Sequence, residues 1–180
     1  MHNIHMRISC HLATIFGLVM LATAGLTRAG EPAVAVGALL ARQEAGLRML
    51  LAPTSAIVVH GTDAVELRFP ARLAFAADRA ELLPTGTAML DAVARSLREY
   101  RGTQVVVAVY TDMIGGSDYN QQQAQARAAV VVAYLQIRGV GPERLIARGV
   151  GETAQLAAPN TPEGRDLNRR LALTITPLSS

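Results

Sequence analysis

TQVVVAVY (103–110), TDMIGGSDYN (111–120) and QQQAQARAAVVVAYLQIRG (121–139) form one continuous stretch that decides the fold. Val105, Val106, Val107 and Val109 make a β-branched apolar run of the kind that lies inside a sheet, buried on both faces. Thr111 and Asp112 stand at its carboxyl end. Gly115 and Gly116 follow, where the backbone can take positive φ and reverse the chain. A helix then begins, with Ser117 or Asp118 as its cap and Asn120 or Gln121 as the capping-box partner. Gly139 stands where a left-handed C-cap belongs.

Within that helix, a step of about 100° per residue puts Ala124, Ala128, Val131, Val132 and Leu135 on one stripe that faces the sheet. Arg127 borders the stripe, and Asn120 lies two turns earlier, almost beneath it. A cation and an amide thus fall on the half of the helix nearest Asp112. Such a set suits a ligand with an ammonium and a carboxylate, Asp112 accepting from the first and Arg127 forking onto the second. The alternative is a turn aspartate and a half-solvated helix arginine, both common at strand ends and helix borders.

The wider spacing carries more. Thr111-Asp112, Gly115, Tyr119-Asn120, Arg127-Ala128, Gly139-Val140, Arg144, Gly149-x-Gly151-Glu152, Thr161, Gly164-Arg165 and Asn168-Arg169-Arg170 occur in this order, after Phe75-Ala76-Ala77-Asp78 and Ala80-Glu81-Leu82-Leu83-Pro84. Together they resemble the OmpA-like peptidoglycan-binding domain, over roughly residues 67–177. The resemblance implies an α+β two-layer sandwich, a mixed sheet with helices on one face in the family's β-α-β-α-β-β arrangement. It also implies binding of the peptidoglycan stem peptide, the diaminopimelate end being held between Asp112 and Arg127, with Asn120, Asp78, Thr111, Gly115 and Arg170 around them. Of the Asn168-Arg169-Arg170 triplet, Arg170 is the expected contact; the other reading gives the triplet to fixing the last strand. The chain departs from the family pattern at Ala76, which removes an acid, and at Val109, Tyr110, Gln123-Ala124 and Gln155.

Elsewhere the order of elements follows from periodicity. Arg7, the apolar run 12–21, and Ala22-Thr23-Ala24 or Thr27-Arg28-Ala29 read as a secretory signal over residues 1–29, or as an uncleaved N-terminal anchor. Cys10 precedes the apolar run and is lost on processing, which argues against lipid attachment. All 17 basic residues are arginine; removing Arg7 and Arg28 leaves 15 against 14 acids, a net of +1. The high pI is therefore no argument for nucleic acid. A cysteine-free mature chain suits an oxidising periplasm.

Residues 30–54 read as a helical spacer, with Leu39, Leu40, Leu47, Leu50 and Leu51 on one side, Arg42, Gln43 and Glu44 opposite, and Pro53 as the stop. This helix packs on the domain, pairs with a second copy as a homodimer contact, or spaces an anchor from the module. Residues 55–177 form the domain proper. It begins with a hairpin, 56–60 and 64–69, turning at Gly61-Thr62-Asp63. A helix behind Pro84 carries Met89, Leu90, Val93, Leu97 and Tyr100 inward. After the central helix come a strand from Leu145, a short helix capped by Thr161 with Pro162 at its first position, and a last strand in which leucines and isoleucine alternate with Ala172, Thr174 and Thr176.

An enzyme is the rival class, with Asp78 and Asp112 as an acid and base pair. Against it, the chain left after removal of the signal has one histidine, His60, read as a turn residue, no cysteine, and neither G-x-S-x-G nor H-E-x-x-H. No metal or cofactor is expected. The function read from the sequence is non-enzymatic tethering of an envelope protein to the Gram-negative cell wall, in the periplasm and at the outer membrane. The alternative is a degenerate domain that binds other envelope proteins.

Overall fold

The computed structural model describes residues 31–178. The signal segment expected over 1–29 lies outside them. In chain order the elements are α1 (Glu31–Leu51), β1 (Ile57–His60), β2 (Val65–Pro70), α2 (Ala71–Ala74), α3 (Pro84–Glu99), β3 (Thr103–Tyr110), α4 (Ser117–Ile137), a 3₁₀ turn at Pro142–Arg144, β4 (Leu145–Gly151), α5 (Pro162–Asn168) and β5 (Arg170–Pro177). The strands form one sheet in the order β1-β2-β5-β3-β4. Only the β3–β4 pair is parallel; β1–β2, β2–β5 and β5–β3 are antiparallel. The architecture is therefore the mixed-sheet α+β sandwich.

Strand parity explains the layers. Val65, Leu67 and Phe69 of β2, Leu171, Leu173 and Ile175 of β5, and Val105, Val107 and Val109 of β3 share one core with Met89, Leu90, Val93 and Leu97 of α3 and with Ala124, Ala128, Val131 and Leu135 of α4. Residues of opposite parity, among them Glu66, Val106 and Thr174, are only half-buried because helices cover one face of the sheet. β3 is interior, as its apolar run indicates, but Val106 is not enclosed on the second face.

α4 comes close to the sheet at β4. The Gly149 amide donates to Gln125 Oε1 at 2.7 Å, and Gln121 Nε2 donates to the Gly149 carbonyl at 2.8 Å. A Cβ at Gly149 would collide with the Gln125 backbone, so only glycine permits the approach. At the other end of α4, Gly139 takes φ +87°, and the Val140 amide closes on the Leu135 carbonyl at 3.1 Å, which ends the helix. Arg144 is 7% exposed and donates to the carbonyls of Leu97, Tyr100 and Thr103 at 2.6–2.9 Å. It satisfies the open carbonyl end of α3.

α1 packs on the domain, with Leu40, Leu47 and Leu51 in the common core. Its inward stripe is less apolar than the leucines suggest. Gln43 and Glu44, expected to point outward, are buried, because Gln43 is three residues after Leu40 and four before Leu47 and so lies between them on the same face. Gln43 Nε2 reaches Ser96 Oγ on α3 at 3.3 Å. Glu44 Oε2 lies 2.6 Å from His60 Nδ1 at the end of β1, while its Oε1 accepts from Arg48 at 2.7 Å. His60 thus closes a strand against α1. Among the described residues no helix is long and apolar enough to cross a membrane.

Candidate ligand-binding site

The site forms where β3 ends and α4 begins. Leaving the sheet, the chain passes through Thr111 and Asp112 and turns at Gly115, whose φ is +102°. α4 does not start with the expected side-chain cap. Gly116 is its N-cap in extended conformation, and Ser117 is already helical. Asn120 is diverted from capping: its Nδ2 donates to Glu152 Oε2 at 2.8 Å and to the Ile114 carbonyl at 3.2 Å, with the Asp112 carbonyl at 3.4 Å. One buried amide thereby holds the whole turn against β4.

Around this turn lies a cavity of about 300 Å³, at the lower end of the range of small-molecule sites, about 300–1,000 Å³. Its wall includes Phe75, Ala76, Ala77 and Asp78 from the loop after α2, Thr111 and Asp112 from the end of β3, Ile114, and Tyr119, Asn120, Gln123 and Arg127 from α4. Arg72 and Arg169 complete it. Asp112, Arg127, Asn120, Asp78 and Thr111 therefore meet in one place. Gly115 shapes the turn beside Asn120 and does not line the wall.

Arg127 is 9% exposed. Its Nε donates to the Arg79 carbonyl at 2.9 Å and its Nη2 to the Ala76 carbonyl at 3.2 Å, while the guanidinium lies 5.0 Å from the Phe75 ring centre. No carboxylate among the described residues pairs with it. Burial pulls its pKa below the usual guanidinium value, with the Asp78 charge opposing. Two of its five N–H donors go to the loop carbonyls, and the side chain lines the cavity.

Asp112 is 6% exposed. Arg169 Nη1 donates to its Oδ2 at 2.9 Å, and its Oδ1 receives only a long 3.4 Å contact from the Ile114 amide. Thr111 Oγ1 is buried and lacks a partner among the described residues. Asp78 takes φ +52°, the left-handed region that aspartate tolerates better than most residues.

Arg170 does not reach the cavity. Its guanidinium stacks 3.6 Å from the Tyr110 ring centre and donates to the Ala154 carbonyl at 3.3 Å. Arg169 stands at the site in its place. Arg169 is the C-cap of α5 and its guanidinium reaches Asp112, whereas Arg170, the first residue of β5, packs on Tyr110. Glu152, which braces Asn120, is the other residue the spacing left without a role.

A sequence model of the OmpA family matches residues 74–169, more than half of the chain and the whole wall of the cavity except Ala71 and Arg72. The chain belongs to the OmpA family. This OmpA-family chain is 37% identical over 143 residues to "Probable lipoprotein YiaD" of Escherichia coli, a match covering 79% of this chain and 65% of that protein. It is 34% identical over 103 residues to "Peptidoglycan-binding protein ArfA" of Mycobacterium tuberculosis, covering 57% of this chain and 32% of ArfA. Both relatives thus extend well beyond the matched part. Among solved structures, the cell wall anchor of the T6SS from Pseudomonas aeruginosa superposes with a TM-score of 0.65 at 27% identity, covering 73% of this chain and 97% of that one.

Proposed function

We propose that this chain binds peptidoglycan non-covalently through the diaminopimelate end of the stem peptide, and so tethers an envelope protein to the cell wall. The observation that carries this reading is Arg127, a buried cation that pairs with no carboxylate among the described residues and borders a cavity shared with Asp112. A desolvated charge of this kind is costly unless something of opposite sign completes it. The ligand's carboxylate supplies that sign, and its ammonium meets the open Oδ1 of Asp112. Neither a plain amine nor a plain acid satisfies both.

The remaining residues fall into supporting parts. Thr111 Oγ1 offers a hydroxyl to the ligand, Asp78 sits on the rim near Arg127, and Asn120 with Gly115 fixes the turn that presents Asp112. Arg170 is left out of this set. Each charge-assisted hydrogen bond contributes about 1.5–3 kcal/mol, and desolvation offsets part of that. A single site is therefore a moderate binder, and a wall polymer with many stems adds avidity. The names of ArfA and of the T6SS anchor support wall binding as the task. We read residues 1–29 as an export signal and the working location as the periplasm at the cell wall.

Purified sacculi test this directly. Wild-type protein should sediment with them, and Asp112→Ala or Arg127→Ala should remain folded in the supernatant. Undiminished sedimentation of both variants would overturn the assignment.

A further inference from the structure

We propose that Arg169 sets which cation the cavity accepts: by holding one oxygen of Asp112 it leaves a single oxygen for the ligand, so the site takes a primary ammonium and turns away a guanidinium. This rests on the reading of Asp112 as the ammonium acceptor and refines it.

The geometry is specific. Arg169 Nη1 donates to Asp112 Oδ2 at 2.9 Å, and its Nη2 donates to Asp166 Oδ1. Arg72 Nε approaches the second Asp166 oxygen at 3.8 Å. Arg169 is thus tied on both sides, to a carboxylate inside the cavity and to one on α5. Asp112 has little freedom to answer by turning. It is 6% exposed, and Asn120 pins the surrounding turn through the Ile114 carbonyl and Glu152. What remains open is Oδ1, whose contact with the Ile114 amide, at 3.4 Å, is near the limit of a hydrogen bond.

Ligand chemistry follows from that one open oxygen. A guanidinium is read best by two parallel N–H···O bonds to both oxygens of a carboxylate, a geometry that Arg169 already prevents. An ammonium is a compact point donor and needs one oxygen. A guanidino ligand would make half its fork and bring its remaining N–H groups against the Arg169 guanidinium, a like-charge approach that disfavours it. Arg169 is therefore a specificity residue for the proposed ligand, acting through Asp112.

The test is a titration of the full-length chain with two probes, meso-diaminopimelate and the derivative in which both of its ammonium groups are converted to guanidinium groups. Wild type should prefer the ammonium probe by about tenfold or more, the loss of one charge-assisted hydrogen bond. Arg169→Gln should bring the two probes within about twofold, since Oδ2 becomes available to a fork. Arg169→Lys, which still covers Oδ2 with a single ammonium, should keep the preference. A wild-type preference that survives in folded Arg169→Gln, one that is lost in Arg169→Lys, or equal binding of both probes by wild type would overturn the proposal. Wild type binding neither probe would instead overturn the diaminopimelate reading on which it rests.

Discussion

Arg127 and Arg144 are equally buried arginines with different surroundings, and the contrast bears on the role proposed for Arg127. Arg144 is equally buried, but every edge of its guanidinium meets a carbonyl, so it stabilises the α3–β3 junction. Arg127 meets two carbonyls and lines a cavity. Replacing an unpaired buried charge by an apolar chain of similar length removes its desolvation cost, which offsets the hydrogen bonds lost to the Ala76 and Arg79 carbonyls. Arg127→Met should therefore unfold within about 1 kcal/mol of wild type, measured by urea titration, while losing sacculus binding. A loss of several kcal/mol with binding retained would make Arg127 a structural residue. Asp112 and Arg127 were legible in the sequence because a strand end and a helix face fix their positions locally. Arg169 was harder to see, since its partner lies 57 residues away and it stands at the junction of α5 and β5, where neither element's period applies.

Elements were readable where chain chemistry punctuates them. Gly139 and Pro162 mark a helix end and a helix start, and Thr161 caps α5 by accepting from the Gly164 amide at 3.0 Å. The four-residue α2 has no room for a helical period and gave no signal. α1 was visible as a helix, but its polar seam was not, because the partners of Gln43 and Glu44 lie on α3 and β1. That seam has a pH consequence. Burial would raise the Glu44 carboxyl, but hydrogen bonds from Arg48 and His60 outweigh it and hold its pKa below the usual carboxylate value. A depressed folded pKa means that Glu44 adds stability above the unfolded value and that this is lost as pH falls through the folded one. Glu44→Gln should be less stable than wild type by about 1 kcal/mol at neutral pH, and the gap should close as pH falls through the lowered folded pKa of Glu44. Denaturant midpoints across that range give the answer; a constant gap would mean that Glu44 acts through packing and not through charge.

At the scale of the whole molecule, the site and the α1 seam are separate. No residue of α1 lines the cavity, whose wall comes from the end of β3, the start of α4, the loop after α2 and the turn into β5. These parts are tied together by the protein's own side chains: Asn120 to Glu152, Arg127 to the Ala76 and Arg79 carbonyls, and Arg169 to Asp112. On the proposed reading, the ligand meets a site that exists only in the folded state, so it should raise stability by mass action. At free ligand about a hundred times the dissociation constant the gain is about 2.7 kcal/mol, or about 5–10 °C in the midpoint of a domain of this size. A stem tripeptide ending in diaminopimelate should therefore shift thermal unfolding of wild type upward by that amount. Glu44→Gln should start from a lower midpoint and shift equally, because its defect lies outside the site. Asp112→Ala and Arg127→Met should not shift at all. An equal shift in Arg127→Met would place the ligand elsewhere on the domain, while a smaller shift in Glu44→Gln would show that α1 and the cavity are coupled.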